Sequence, residues 1–253
     1  MNANPRIIAV FTGNRAEYGL QFPILKQIAA HPNLDYRLIV SGAHLDVNLG
    51  RTLTEIHDDG FDVHAEVKID MAVDDLAATA NAIGSGVVGV TEALHYLSPD
   101  MLLVYGDRFE AFAAVIAGTQ SCIPTGHIEG GDLTEGGALD DSVRHAMTKL
   151  AHLHFTTNQQ ASNRILGMGE EAWRVHMVGF PMIDLLNVND FAPVAPCQAH
   201  ALSIVPLFAV HRMVAAHCAL RYGVRRLSVV RFWDACIVGN LSLSRDIGRS
   251  QGA

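Results

Sequence analysis

The sequence has few cysteines and no long uninterrupted apolar run. Its four cysteines, Cys122, Cys197, Cys218 and Cys236, show no CxxC spacing, which argues against a zinc site and against a disulfide framework. The most apolar late stretch, residues 201–220, carries charged or titratable side chains at its centre and is interrupted by proline. That composition excludes a helix that crosses a bilayer.

Two further absences bear on the cellular location of the protein and on its binding partner. The opening MNANPRIIAVFTG lacks a basic start and a small-residue cleavage site, so no signal peptide is predicted. Basic residues are too few to balance the acidic ones, and the formal net charge is -8 at pH 7. Because phosphate backbones attract basic faces, nucleic acid is not the expected partner. We expect a soluble, cytoplasmic protein without a membrane partner.

The types of charged residue that the sequence uses change towards the end of the chain. Residues 172–253 contain no glutamate and residues 150–253 contain no lysine, whereas seven arginines lie beyond residue 191. One interpretation is a small basic extension that packs on the preceding domain. The hypothesis we prefer is a tail of altered origin, such as translation out of frame, that does not fold stably. We therefore divide the chain into a domain at 1–190 and an atypical basic tail at 191–253.

What the first part contains is a regular alternation of β-rich runs and helix-like segments. Strands are predicted at 6–13, 36–42, 61–69, 101–106, 123–130, 153–158 and 175–180. Helices are predicted at 17–31, 74–97, 108–120, 140–151 and 159–168. Several strands are continuous apolar runs, as expected when helices cover both faces of a parallel sheet. The pattern predicts a doubly wound, Rossmann-like α/β domain, whose ligands bind beyond the carboxyl ends of the strands.

Two glycine-containing motifs follow the first two strands. In TGNRAEYG, Gly13 permits a close approach to a ligand, and Arg15 adds donors beside a helix start that favours anions. Taken alone, an arginine and a glutamate that open a helix are more often a surface pair. In SGAHLD, His44 is either a structural histidine or a ligand contact.

Acidic residues follow the fourth and fifth strands. In VYGDRFEA, Asp107 either caps a helix or, held between apolar walls, exchanges protons with a ligand. Arg108 follows it at once. In HIEGGDLTEGG, Glu129 ends a strand beside paired glycines that allow a tight turn. The two loops are expected to place their carboxylates around one hollow, which favours acid–base chemistry on an oxygen-rich substrate.

The helix after the second acidic loop adds further candidates. In LDDSVRHA, Asp140 or Asp141 is expected to cap the helix start, with Arg144 and His145 one turn along. Taken piecewise, these features also describe an ordinary capped helix with an ion pair.

Five motifs in order, TGNRAEYGL, VSGAHLD, GDRFEA, HIEGGDLTEGG and DDSVRHAMTKLAHLHF, resemble the hydrolysing UDP-N-acetylglucosamine 2-epimerases of sialic acid biosynthesis. They also resemble their relatives that act on UDP-N,N'-diacetylbacillosamine. The resemblance runs from about residue 6 to about residue 187 and is specific because five motifs keep their separations.

The resemblance implies the N-terminal half of a glycosyltransferase-B-like architecture, with a UDP-sugar bound between two Rossmann-like halves. It implies anti elimination of UDP to a 2-acetamidoglucal, followed by addition of water with inversion at C2. The products would be N-acetylmannosamine and UDP. No metal or redox cofactor is implied. Relatives of this kind are usually dimers or tetramers, so a homo-oligomer is a possible assembly.

Carried over residue by residue, the resemblance implies catalytic carboxylates at Asp107 and Glu129, a further acid at Asp140 or Asp141, and support from His145. It implies a diphosphate contact at Arg15. Gly13, His44, Arg108 and Arg144 complete the candidate substrate-binding residues. Which carboxylate takes the C2 proton is left open by the sequence.

The sequence departs from the family after residue 191, where no counterpart of the second nucleotide-binding half is recognised. Besides the epimerase, two hypotheses therefore stay open. One is a folded remnant without activity. The other is a glycosyltransferase of the same architecture, which would transfer the sugar to an acceptor.

Overall fold

The computed structural model describes residues 4–47, 52–69, 77–134 and 139–188. These ranges contain seven strands: β1 Arg6–Thr12, β2 Leu34–Ser41, β3 Val63–Val67, β4 Met101–Tyr105, β5 Thr125–Ile128, β6 Leu153–Thr156 and β7 Val175–Met177. They also contain seven α-helices: α1 Arg15–Ala30, α2 Leu53–Asp58, α3 Ala78–Leu97, α4 Phe109–Gln120, α5 Leu139–Leu150, α6 Gln159–Gly167 and α7 Pro181–Val188. Short 3-10 turns occupy Gly42–His44 and Ala172–Arg174.

The strands form one parallel sheet in the order β3-β2-β1-β4-β5-β6-β7. The chain first adds strands on one side of β1, then returns to the other side through α3 and continues from β4 to β7. The order reverses between β1 and β4, so the loops that follow these two strands diverge and leave a crevice at the carboxyl edge. The predicted doubly wound, Rossmann-like sheet is confirmed.

Alternate residues of the strands supply two cores, one on each face of the sheet. Ile8 and Val10 of β1 pack with α1 and α2 on one face, whereas Ala9 and Phe11 pack with α3 and α4 on the other. All five residues of β4 are buried, because this strand lies at the centre of the sheet. Burial on both faces is the physical reason for its uninterrupted apolar sequence MLLVY.

The structure adds two helices that the sequence pattern did not predict, α2 and α7. Both are short, at 6 and 8 residues, and so offer too few turns to show a helical period. The predicted tail at 191–253 lies outside the described residues. Among the helices within the described ranges, none has both the length and the apolar character needed to cross a membrane.

Candidate active site

A cavity of about 430 Å³ opens at the crevice between the loops after β1 and β4. Its wall is completed from the adjoining side by the end of β5 and by α5. The lining residues are Asn14, Ala16, Glu17, Leu20, Tyr105, Gly106, Asp107, Arg108, Glu129 and Arg144. Charged side chains from four separate segments of the fold, α1, the loop after β4, the end of β5 and α5, therefore line one cavity.

Asp107 enters this cavity directly after β4. Gly106 has a φ of 73°, a left-handed conformation that glycine adopts without strain, and it turns the chain out of the strand. The Asp107 carboxylate is hydrogen-bonded to the guanidinium of Arg144 on α5, which also lies 3.3 Å from Asp141. Burial raises the pKa of Asp107, and the positive charge of Arg144 opposes that rise. The predicted helix-capping role does not apply, because Arg108 occupies the N-cap of α4 and Asp107 bonds to Arg144 instead.

Glu129 reaches the same cavity from the end of β5. Its φ is 66°, in the left-handed region that a residue with a side chain seldom adopts, and its amide donates to the carbonyl of Phe155 at 2.9 Å. Burial raises the pKa of Glu129 to about 7. Tyr105 faces this carboxyl, although its hydroxyl lies outside ordinary hydrogen-bond geometry among the described residues. A carboxyl with a pKa near 7 can both accept and release a proton near neutral pH.

The backbone conformation of Glu129 is held by contacts to the next loop along the sheet. Asp132 accepts hydrogen bonds from the Thr157 hydroxyl at 2.5 Å and from the Asn158 amide at 2.9 Å. The carbonyl of Gly131 accepts one from Arg164. The β5 loop is therefore tied to the start of α6 and not only to its own strand.

The predicted substrate-binding residues divide between the cavity and its surroundings. Arg108 lines the cavity, about half exposed, 3.4 Å from Glu110. Arg15 is not among the residues that line the cavity; its side chain is 72% exposed and pairs with Glu55 at 2.8 Å. Arg15 therefore forms a surface ion pair, but the pair with the glutamate of its own motif is not formed, because Glu17 is buried.

Gly13 and His44 do not line the cavity and instead connect the segment after β1 to the segment after β2. The Gly13 carbonyl accepts from the amide of Ala43 at 2.9 Å. The buried His44 ring lies between the hydroxyls of Thr12 at 3.0 Å and Thr52 at 2.7 Å. Burial lowers the pKa of His44 to about 4, so it acts here as a neutral structural side chain.

The remaining candidates lie on α5 beside the cavity and do not line it. Asp140 is exposed in the first turn and is close enough to raise the pKa of Asp107. Asp141 accepts from the Thr134 amide at 2.8 Å and pairs with Arg144. His145 follows Arg144, and its Nδ1 atom is buried without a hydrogen-bond partner among the described residues.

Three side chains that matter to the site were not predicted: Glu17, Tyr105 and His127. Glu17 and Tyr105 line the cavity, and His127 donates from Nε2 to the carbonyl of Gly106 at 2.7 Å. That bond fixes the end of β4 from which Asp107 projects. A signal was present for Glu17, since it stands three residues after Asn14, the N-cap of α1. His127 lies inside an apolar strand, where the sequence does not distinguish a structural histidine from a functional one.

A family model described as UDP-N-acetylglucosamine 2-epimerase matches residues 26–215, which is more than half of the chain. The chain belongs to this family. The family that the sequence motifs resemble is thereby confirmed.

Curated relatives agree with the family. The chain is 37% identical over 179 residues to a Legionella pneumophila protein named UDP-N,N'-diacetylbacillosamine 2-epimerase (hydrolyzing), covering 71% of this chain and 47% of that protein. It is 34% identical over 181 residues to a UDP-N-acetylglucosamine 2-epimerase of Neisseria meningitidis serogroup B, covering 72% and 46%. The chain spans about half the length of the curated relatives that it matches.

Solved structures of epimerases share the fold. One from Listeria monocytogenes superposes with a TM-score of 0.67 at 19% identity, covering 77% of this chain and 50% of that chain. One from Neisseria meningitidis, bound to UDP-GlcNAc, superposes with a TM-score of 0.63 at 22% identity, covering 72% and 49%.

Proposed function

We propose that this chain carries the catalytic carboxyls of a hydrolysing nucleotide-sugar 2-epimerase that converts UDP-N-acetylglucosamine and water to N-acetylmannosamine and UDP. The observation that supports the proposal most directly is that Asp107 and Glu129 line one cavity at the switch point of the sheet. Two carboxyls beside two arginines suit a substrate that must lose a carbon-bound proton and a diphosphate leaving group.

In the first half of the proposed reaction, Glu129 accepts the proton from C2 of the sugar. The electron pair of that C–H bond forms the C1–C2 double bond, and the bond from C1 to the diphosphate oxygen breaks, so that UDP departs. Glu129 suits this step because its pKa of about 7 leaves a usable fraction as the base while giving it proton affinity.

In the second half, the water oxygen bonds to C1 while a proton from a second acid adds to the opposite face of C2. The proton that the water loses restores that acid, and Glu129 releases the proton it took from C2 to solvent. Inversion needs an acid other than the group that removed the first proton. Asp107 is the second carboxyl on the cavity wall, and burial raises its pKa. We assign this proton delivery to Asp107, with Arg144 holding the carboxyl in place.

The test is incubation of the full chain with UDP-N-acetylglucosamine in heavy water. We expect release of UDP and an N-acetylmannosamine that carries deuterium at C2. Glu129→Gln should abolish UDP release, and Asp107→Asn should abolish formation of the deuterated N-acetylmannosamine, whereas Glu92→Gln, an exposed position on α3, should leave both unchanged. Undeuterated N-acetylglucosamine as the product would contradict the mechanism. No UDP at high protein concentration would favour the inactive remnant, and sugar transfer to an acceptor would favour the glycosyltransferase.

UDP-N,N'-diacetylbacillosamine is a second candidate substrate. It is favoured by the name of the Legionella pneumophila relative, which is 37% identical to this chain. When the two UDP-sugars compete in one assay, their relative rates of turnover give the ratio of their kcat/KM values. The UDP-sugar with the higher kcat/KM is the better assignment.

A further inference from the structure

Glu17 is a third carboxyl on the cavity wall, and the chemistry proposed above does not use it. Its side chain is 5% exposed. One oxygen, Oε2, accepts a hydrogen bond from the Gly13 amide at 3.0 Å. The other, Oε1, is buried and has no hydrogen-bond partner among the described residues.

Helix capping explains only part of this arrangement. Asn14 is the N-cap of α1 and accepts from the Glu17 amide at 3.0 Å, and a glutamate at this position commonly reaches back to the chain before the helix. Such a cap requires one carboxyl oxygen. A buried polar atom without a partner costs free energy, so the structure leaves Oε1 ready for a group that enters the cavity.

The charges around Glu17 favour its neutral form. Glu110 on α4 is fully buried and acts on Glu17 as a like charge, while Arg108 is the cation that opposes it. Burial, the largest cause, raises the pKa of Glu17 to about 8. At neutral pH the side chain is then a carboxylic acid, and because Oε2 accepts from Gly13, its proton resides on Oε1.

We propose that Glu17 is a ligand-binding acid whose Oε1–H donates a hydrogen bond to a diphosphate oxygen of the bound nucleotide sugar. This inference rests on the proposed function, which supplies the UDP-sugar. The diphosphate is the expected acceptor because the cavity wall includes the first turn of α1, where amide groups and the helix dipole favour an anion. An ionised carboxylate at this place would repel the same anion, and the wall already carries Asp107 and Glu129.

The test is calorimetric binding of UDP-N-acetylglucosamine to the full chain from about pH 6.5 to about pH 9. If binding needs the proton of Glu17, the affinity of the wild type relative to that of Glu17→Gln stays level to about pH 8 and then falls, towards tenfold per pH unit. In Glu17→Gln the amide accepts from Gly13 and donates into the cavity at every pH. We therefore expect this variant to keep its affinity above pH 8, with Glu92→Gln behaving as the wild type.

A variant without a donor completes the set. Glu17→Met keeps the length of the side chain but loses the donor, and we expect roughly 10-fold to 100-fold weaker binding at pH 7. Since it also loses the cap, its fold is checked by circular dichroism, and the comparison of wild type with Glu17→Gln stands without it. Asp107 and Glu129 titrate in both of those proteins, so the difference between their pH profiles isolates Glu17.

Identical pH profiles for wild type and Glu17→Gln, or unweakened binding by folded Glu17→Met, would overturn the role of Glu17 and leave the proposed function standing. Binding with this pH pattern but without UDP release would support Glu17 and contradict the catalytic proposal alone. No binding by the wild type would overturn both.

Discussion

At the scale of single residues, Arg144 is the buried cation that pairs with the carboxylates of the site. It is buried on α5 and joins Asp107, from the loop after β4, to Asp141 in the first turn of its own helix. Its positive charge is the main influence that opposes the rise in the pKa of Asp107. Losing this cation should therefore change both stability and the protonation of the site.

Arg144→Met should raise the pKa of Asp107, because the carboxyl would stay buried near Asp140 without its cation. We expect the alkaline limb of the pH profile of kcat/KM, which the proton donor sets, to move to higher pH, and a stability loss of about 3 kcal/mol as for other broken buried pairs. Arg144→Lys should restore part of both. An unchanged alkaline limb in a folded Arg144→Met protein would show that Asp107 does not titrate in catalysis.

The sequence shows some of these residues and hides others for a physical reason. Asp107 and Glu129 were predictable, since each follows a buried strand and parallel strands end at one edge. For Glu17 the sequence shows a helix-capping position, but a glutamate near a helix start usually faces solvent, and only the structure shows that this one is buried on the cavity wall. The sequence singled out Arg15 as a binding residue, but it did not show the ion pair that Arg15 forms, because the partner Glu55 lies on the unpredicted helix α2.

At the scale of elements, the loop from β5 to α5 depends on its neighbour for its shape. Asp132 connects this loop to Thr157 and Asn158, and Asn158 also caps α6 by accepting from the Ala161 amide at 2.9 Å. The left-handed backbone of Glu129 costs on the order of 1 kcal/mol or more unless its surroundings hold it. Asp132 is therefore a positioning residue for Glu129.

Asp132→Ala should release this loop while leaving the cavity wall formed by α1 and β4 intact. We expect kcat to fall about tenfold or more with a smaller change in KM, because a misplaced base affects the transition state more than substrate binding. Asp132→Asn, which retains an acceptor oxygen for Thr157, should recover part of kcat. Equal kcat values for Asp132→Ala and the wild type would show that the loop keeps its shape without this residue.

The elements themselves were predictable to different degrees. The seven strands were recognised because each is a short β-rich run, several of them continuously apolar, and the parallel direction follows from helices that return the chain to the same edge. Helices α2 and α7 were not recognised, since one or two turns give no measurable period. The cavity also depends on the order of strands, which the apolar pattern alone does not specify.

At the scale of the whole molecule, two sets of buried groups give stability an opposite dependence on pH. Burial lowers the pKa of His44, His127 and His154 to about 4, whereas burial raises the pKa of Glu129 to about 7 and of Glu17 to about 8. Below pH 6.5 these histidines bind protons in the unfolded chain but stay neutral in the folded chain. The free energy of unfolding therefore decreases as the pH falls towards 4. Above pH 4.5 the folded glutamates hold protons that the unfolded ones have lost, so stability falls as the pH rises.

Between about pH 6.5 and about pH 8 only the glutamate effect remains, so we expect the free energy of unfolding to decrease with rising pH in that window. Each carboxyl contributes a slope that approaches about 1.4 kcal/mol per pH unit. Urea titrations at several pH values measure it, and Glu17→Gln should remove the part that extends furthest towards pH 8, whereas Glu92→Gln should keep the full slope. A stability that stays level or increases across this window would mean that Glu17 and Glu129 are ionised in the folded chain, and the neutral acid on the cavity wall would then have no basis.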